Sequence, residues 1–409
     1  MNNSLNLILV STPIGHLGSG RGGGVELTLT SLLRGLASRG HRITLIAPGE
    51  SVVPEDCSNI TLHRARGIDQ PSWQHADAEA SIQIPCEGVL PRLWDLALSL
   101  GEEADAVINF SYDWLPLWLT PHVKPSLFHL VSMGSVSRAM DDAVSQLARW
   151  DQRRMSFHTH RQASDFSLPH QPTVVGNGFD LSGYELKLNT VGPLGWAGRV
   201  APEKGLEDAA SVAASLRETL LVWGLVEDAR YAEAVEAAVP PGTIQWLGFK
   251  PTQLLQKELG CCRALLNTPK WNEAYGNVVV EAMACGVPVV AYDRGGPGEL
   301  IQNGVTGWLV APDDVEALAV ACGKVEKIDR RDCRHWVEQF ASHGCLHDAL
   351  RTGSVRDSHQ GMARSHHADD FSHRHHTHHT KTAKPRPAAD SGPGPCFVLL
   401  ATWCNRLSG

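Results

Sequence analysis

LNTPKWNEAYGNVVVEAMACGVPVVAYDRGGPGEL, residues 266–300, is the stretch whose reading decides the fold. A polar loop at its start carries Glu273. Gly276 to Cys285 predicts a short helix with Glu281 inside it, closed by Gly286. The apolar run from Gly286 to Ala291 predicts a strand buried on both faces. Gly295 and Gly296 follow it, and Pro297 with Glu299 opens another helix. Two acids eight residues apart therefore straddle a loop-to-helix junction. The free N–H groups of a helix start suit an anionic centre, and carboxylates accept hydrogen bonds from sugar hydroxyls. The competing reading, a solvated acidic loop before a core helix, leaves the flanking glycines and strand unexplained.

The rest of the chain bounds what such a site can serve. With 409 residues, two domains are expected. A net charge of −8 argues against nucleic acid as a partner. The ten cysteines include no CxxC pair, which suits free thiols in a reducing compartment. The N-terminal apolar run, residues 5–10, is too short for a signal peptide, and no run is long enough to span a bilayer. These features predict a cytoplasmic protein and leave its oligomeric state open.

At the N-terminus, LNLILVST (5–12) reads as a strand, Val25 to Arg39 as a helix, and HRITLIAP (41–48) as a second strand. In the loop between, Gly18, Gly20 and Gly23 satisfy GxGxxG, the pattern of dinucleotide sites. That pattern requires its first glycine directly after the strand, and here several residues intervene, so the dinucleotide reading is not adopted. Residues 49–104 are less legible apart from a helix from Val89 to Leu100. Residues 105–110 and 125–135 each predict a further strand, and 136–154 a helical segment. Asp113 and Trp114 fall at the carboxyl end of the first of these strands, where open α/β sheets place ligands; core packing is the alternative for the tryptophan. His129 lies on the second, as a core histidine or a site residue.

In the second half, residues 193–205 run from a strand through Arg199 to Glu203-Lys204-Gly205. A guanidinium fork and an ammonium beside a helix start form a clamp for a diphosphate. Strands follow at 220–224 and 243–249, and a helix at 313–326.

Together these motifs resemble the group 1 family of retaining glycosyltransferases, which have the GT-B fold. The resemblance rests on Glu273 and Glu281, AMACGVPVVA (282–291), the Gly295-Gly296 pair, Gly198-Arg199 with Glu203-Lys204-Gly205, Asn177-Gly178-Phe179-Asp180, and Arg39-Gly40-His41. It implies an α/β protein of two facing Rossmann-like domains with parallel sheets and an interdomain cleft. Residues 1–175 would bind the acceptor and residues 176–342 the nucleotide sugar. The resemblance assigns Arg199 and Lys204 to the diphosphate, Glu273 to the sugar hydroxyls and Glu281 to the ribose. It places Gly23, Gly24, Asn277 and Val278 beside the donor and Gly248 and Phe249 near its base. It implies no metal and no cofactor, with UDP-glucose as co-substrate. A narrower similarity, carried by residues 11–29, 109–121, 129–135 and Lys270-Trp271, is to UDP-glucose:tetrahydrobiopterin glucosyltransferases. It makes a pterin the partner molecule, held by Asp113, Trp114 and His129. Another sugar or lipid acceptor, or a non-catalytic nucleotide-sugar sensor, remains the alternative.

From residue 343 the composition changes: eight of the twenty histidines fall in residues 351–409, followed by a proline-rich stretch. This segment lacks the apolar period of the helix that usually returns to the first domain in such folds, and its composition predicts disorder. Deleting residues 351–409 should therefore leave the thermal unfolding midpoint nearly unchanged in a calorimetric scan, and a large drop would show that the tail docks.

Overall fold

The computed structural model describes residues 4–57, 59–189 and 191–341; the tail beginning at residue 343 lies outside the described residues. The first sheet comprises β1 (Asn6–Val10), β2 (Arg42–Pro48), β3 (Ile60–Ala65), β4 (Ala106–Asn109), β5 (Leu127–Val131) and β6 (Met155–Phe157), in the order β3-β2-β1-β4-β5-β6. The second comprises β7 (Leu194–Ala197), β8 (Leu220–Trp223), β9 (Ile244–Gly248), β10 (Ala264–Asn267), β11 (Val289–Tyr292) and β12 (Gly307–Val310), in the order β12-β11-β10-β7-β8-β9. Counted from its own first strand, each sheet has the doubly wound order 3-2-1-4-5-6. Every pairing is parallel, with Leu7 opposite Ile43 and Ala106, and Leu194 opposite Leu220 and Ala264.

The apolar runs explain this layering. Along β1, Leu7 and Leu9 pack on one face against helix Gly24–Ala37 through Leu29, Leu33 and Leu36. Ile8 and Val10 pack on the other against helix Val89–Gly101. A strand covered on both faces has no polar side, so it reads as a continuous apolar run. The second sheet repeats the scheme, with helix Leu206–Leu216 on one face and helices Asn277–Ala284 and Arg330–Phe340 on the other.

Several local expectations shift. The strand expected from Gly286 begins at Val289, because Gly286 has φ 82° and its N–H closes the preceding helix on the Met283 carbonyl. Residues 114–119 form a helix in which Pro116 sits in the first turn, where no intrahelical donor is needed.

The chain passes from one domain to the other between Val175, in the first core, and Phe179, in the second. The domains also touch directly: Thr159 Oγ1 donates to the Ala274 carbonyl at 2.9 Å, and Asn272 Nδ2 to Asp165 at 2.7 Å. Among the described residues, no helix is long and apolar enough to cross a membrane.

Gly205 shows how tightly the turn after β7 is built. Its φ is 65°, Thr268 Oγ1 donates to its carbonyl at 2.7 Å, and an added Cβ would lie 2.0 Å from the Thr268 carbonyl oxygen. Gly205→Ala should lower the unfolding free energy by about 2–3 kcal/mol, read as a shifted midpoint in urea denaturation.

Candidate functional site

The strand order of each sheet reverses at one point, between β1 and β4 and between β7 and β10, and the loops there diverge to leave a crevice. The two crevices face each other across a cleft. From the first domain come Thr12 after β1, the glycine loop with Gly22, Gly23 and Gly24, Phe110 and Tyr112 after β4, Ser132 and Met133 after β5, and His158 after β6. The second domain supplies Arg199 and Lys204 after β7, then Trp271, Glu273, Tyr275 and Asn277 after β10.

The charged groups are arranged in pairs. Lys204 Nζ lies 2.6 Å from Glu273 Oε2, and the Trp271 ring centroid is 4.9 Å from the same ammonium. The Trp271 indole N–H also points at Glu273, at 3.4 Å. Arg199 is 2.7 Å from Glu227 and 3.5 Å from Glu203, and only 11% of its side chain is exposed. The backbone holding Glu273 is clamped from two sides. Gly296 N–H donates to the Glu273 carbonyl at 2.7 Å, and a Cβ at Gly295 would lie 2.5 Å from the Glu273 backbone. Lys270 N–H donates to the Glu203 carbonyl at 2.9 Å, tying the Glu273 loop to the Lys204 turn. The Gly295-Gly296 pair is thus required by close backbone approach.

Helix Asn277–Ala284 begins at this cleft. Its N-cap, Gly276, has φ 99° and offers no side chain to its first N–H groups, which leaves them for a ligand. Asn277 bridges the domains, donating through Nδ2 to the Gly24 carbonyl at 2.9 Å and accepting from Asn177 Nδ2 at 2.7 Å.

Glu281, one turn further along, is buried below the cleft, and Tyr184 O–H donates to it at 3.2 Å. Burial pushes its carboxyl up to about 7, against the opposing hydrogen bond from Tyr184. Val278 packs into the same core, and Phe249 lies at the rim, 46% exposed, against Gly20 of the glycine loop. Gly248, at the end of β9, has open space around its α-carbon.

The three residues expected to hold an acceptor are not brought to this cleft. Asp113 is buried: its carboxylate caps helix Trp114–Leu119 through the Trp114 N–H at 2.8 Å and accepts from Trp73 Nε1 at 3.2 Å. Desolvation raises it to about 6, and those hydrogen bonds oppose the shift. Trp114 stacks on Trp118 at 5.4 Å and packs against the β5–β6 core. His129 is in the middle of β5, with Nδ1 3.0 Å from Asn109 Nδ2 and Nε2 2.7 Å from Thr120 Oγ1. Burial lowers its pKa to about 3, so it is a neutral core histidine.

His158, Tyr112, Trp271, Tyr275 and Asn177 line the cleft without having been singled out as its residues. For His158 a signal existed, since it directly follows strand β6. Its imidazole Nδ1 is 3.3 Å from the Gly176 carbonyl oxygen, and burial holds its pKa down at about 4, opposed by that contact.

Two Rossmann-like domains with a cleft between their switch points define the GT-B fold. Residues 194–341 match the profile of the family described as "Glycosyl transferases group 1". Over 138 residues the chain is 34% identical to a 2-deoxystreptamine N-acetyl-D-glucosaminyltransferase of Streptomyces fradiae, covering 32% of each sequence. Over 169 residues it is 33% identical to a glycogen synthase of Mycobacterium tuberculosis, covering 37% of this chain and 39% of that one. The chain thus spans well under two thirds of these curated relatives. Among solved structures, HepE of Anabaena in complex with UDP-glucose superposes with a TM-score of 0.64 at 17% identity, covering 85% of this chain and 98% of that one. Sucrose-phosphate synthase of Thermosynechococcus elongatus gives 0.65 at 18% identity, covering 86% and 100%. These likenesses establish the shared fold.

Glu281 makes folding stability sensitive to pH. Its folded pKa of about 7 lies above its ordinary value of 4.5, so the folded chain binds the extra proton between the two. Stability therefore falls as pH rises through that window. Glu281→Gln should flatten the fall in melting temperature between pH 5 and pH 8; an unchanged slope would show that another group titrates.

Proposed function

We propose that this chain moves glucose from UDP-glucose to a small acceptor, tetrahydrobiopterin, with retention of configuration, giving a pterin α-glucoside. The observation that carries the transferase reading is the Lys204–Glu273 pair at 2.6 Å, set beside Arg199 and before an uncapped helix start. UDP-glucose-bound HepE and a glycogen synthase are among the similar proteins, which supports a nucleotide-sugar donor. The pterin comes from the narrower sequence similarity, and Tyr112 and Trp271 supply aromatic faces for a flat acceptor in the cleft.

In this reading the donor diphosphate takes Lys204 and Arg199 from their carboxylate partners, and Glu273 turns to the sugar hydroxyls. Gly23 and Gly24 close over the diphosphate from the other domain, and Asn277 and Val278 present their backbone N–H groups to it. Glu281 accepts from the ribose, and Gly248 and Phe249 flank the base. The C1–O bond to the diphosphate breaks while the acceptor oxygen bonds to C1 on the same face. The leaving phosphate oxygen takes the acceptor's proton. The two cations stabilise the charge that develops on the diphosphate. Neither a metal nor a cofactor enters this scheme, and the free thiols of the described cysteines suit a cytoplasmic setting.

A second reading, transfer to another sugar or to a lipid, is favoured by one observation: Asp113, Trp114 and His129 lie outside the cleft-lining set.

Lys204→Ala should lower kcat on the order of a hundredfold, and Glu281→Ala should weaken UDP-glucose binding. Unchanged kinetics in both variants would remove the transferase assignment. The acceptor is tested by supplying UDP-glucose with pterins, simple sugars or lipid extracts and measuring released UDP and product. An α-glucoside of tetrahydrobiopterin is expected. Product from a sugar or lipid alone would favour the second reading, and UDP-glucose binding without turnover would indicate a sensor.

A further inference from the structure

The glycine loop, residues 13–24, is organised by one acid. Glu26, in the first turn of helix Gly24–Ala37, is 8% exposed. Its Oε2 accepts from the Gly18 N–H at 2.7 Å and the Gly20 N–H at 3.2 Å, and its Oε1 from the Gly22 N–H at 2.7 Å and the Ser19 hydroxyl at 3.2 Å. Three backbone amides converge on one carboxylate because the loop bends through left-handed glycines: Gly15 and Gly18 at φ 100°, Gly20 at 77° and Gly23 at 57°.

The face wrapped this way is the one that meets the second domain. Gly20 abuts the Phe249 ring, the Gly24 carbonyl accepts from Asn277, and a Cβ at Gly23 would come within 3.9 Å of Arg199 Nε. A carboxylate beside a diphosphate site repels the ligand by Coulomb interaction. An acid kept there is explained if its charge is spent on the loop, and four hydrogen bonds spend it.

We propose that Glu26 is a positioning residue for donor binding: it shapes the glycine loop that closes on the diphosphate from the first domain. This rests on the nucleotide-sugar reading of the cleft. The four hydrogen bonds of the Glu26 carboxylate all stay within the glycine loop, so it acts on the sugar-diphosphate portion of the donor.

The test compares the full chain with Glu26→Gln and Glu26→Ala. For Glu26→Ala, the Kd for UDP-glucose should rise about tenfold while that for uridine stays within about twofold. Trypsin should cut after Arg21 about tenfold faster, because the loop is released while the fold persists. Glu26→Gln should fall between, since one oxygen still accepts but its NH2 group faces amide donors. Equal loss of UDP-glucose and uridine binding, or no change in cleavage after Arg21, would overturn the proposal. If the unaltered chain binds no UDP-glucose, the nucleotide-sugar reading fails, and the cleavage rates still judge the role of Glu26 in the loop.

Discussion

The Lys204–Glu273 contact joins the turn after β7 to the loop after β10, and the cleft depends on that junction. Neither charge is fully solvated, with 16% and 18% of the side chains exposed. A half-buried ion pair of this kind is held by geometry, because removing one partner leaves the other desolvated and unpaired. The surrounding backbone supplies that geometry. Gly205 is fixed by Thr268, Lys270 by Glu203, and Glu273 by Gly296. The same constraint leaves little room for side chains, which is why glycine recurs at Gly205, Gly295 and Gly296.

Polar contacts couple the two domains. Asn277 spans from Asn177 at the crossing to Gly24 in the glycine loop. Glu299 accepts from the His160 N–H at 3.2 Å, and Arg161 pairs with Asp293 across the boundary. Exposed and half-exposed polar contacts are individually weak.

Much of the site was legible in the chain because its signals are local. Glu273, Arg199, Lys204 and Asn277 each sit within a few residues of a strand end or helix start, and glycine punctuates those junctions. Asp113, Trp114 and His129 show where that reasoning stops. Asp113 does lie at a strand end, yet its carboxylate turns inward to cap the next helix and meet Trp73, forty residues away in sequence. His129 has polar partners on β4 and beyond helix Trp114–Leu119, and no local pattern announces them. Glu26 is the converse: an ordinary acid in an amphipathic helix by pattern, and the centre of the glycine loop in space.

By itself the sequence determined the two parallel sheets and the strand-end turns that carry Arg199, Lys204 and Glu273. Strands buried on both faces must be continuously apolar, and backbone that approaches a ligand or another strand must be glycine. Which side chains face the cleft was decided only by the tertiary structure. The wall of Tyr112, Met133, His158 and Trp271 assembles from four loops that meet because the two sheets face each other at their switch points. The direction of a side chain at a loop depends on neighbours far away in the chain, and that information lies in the packing of the domains.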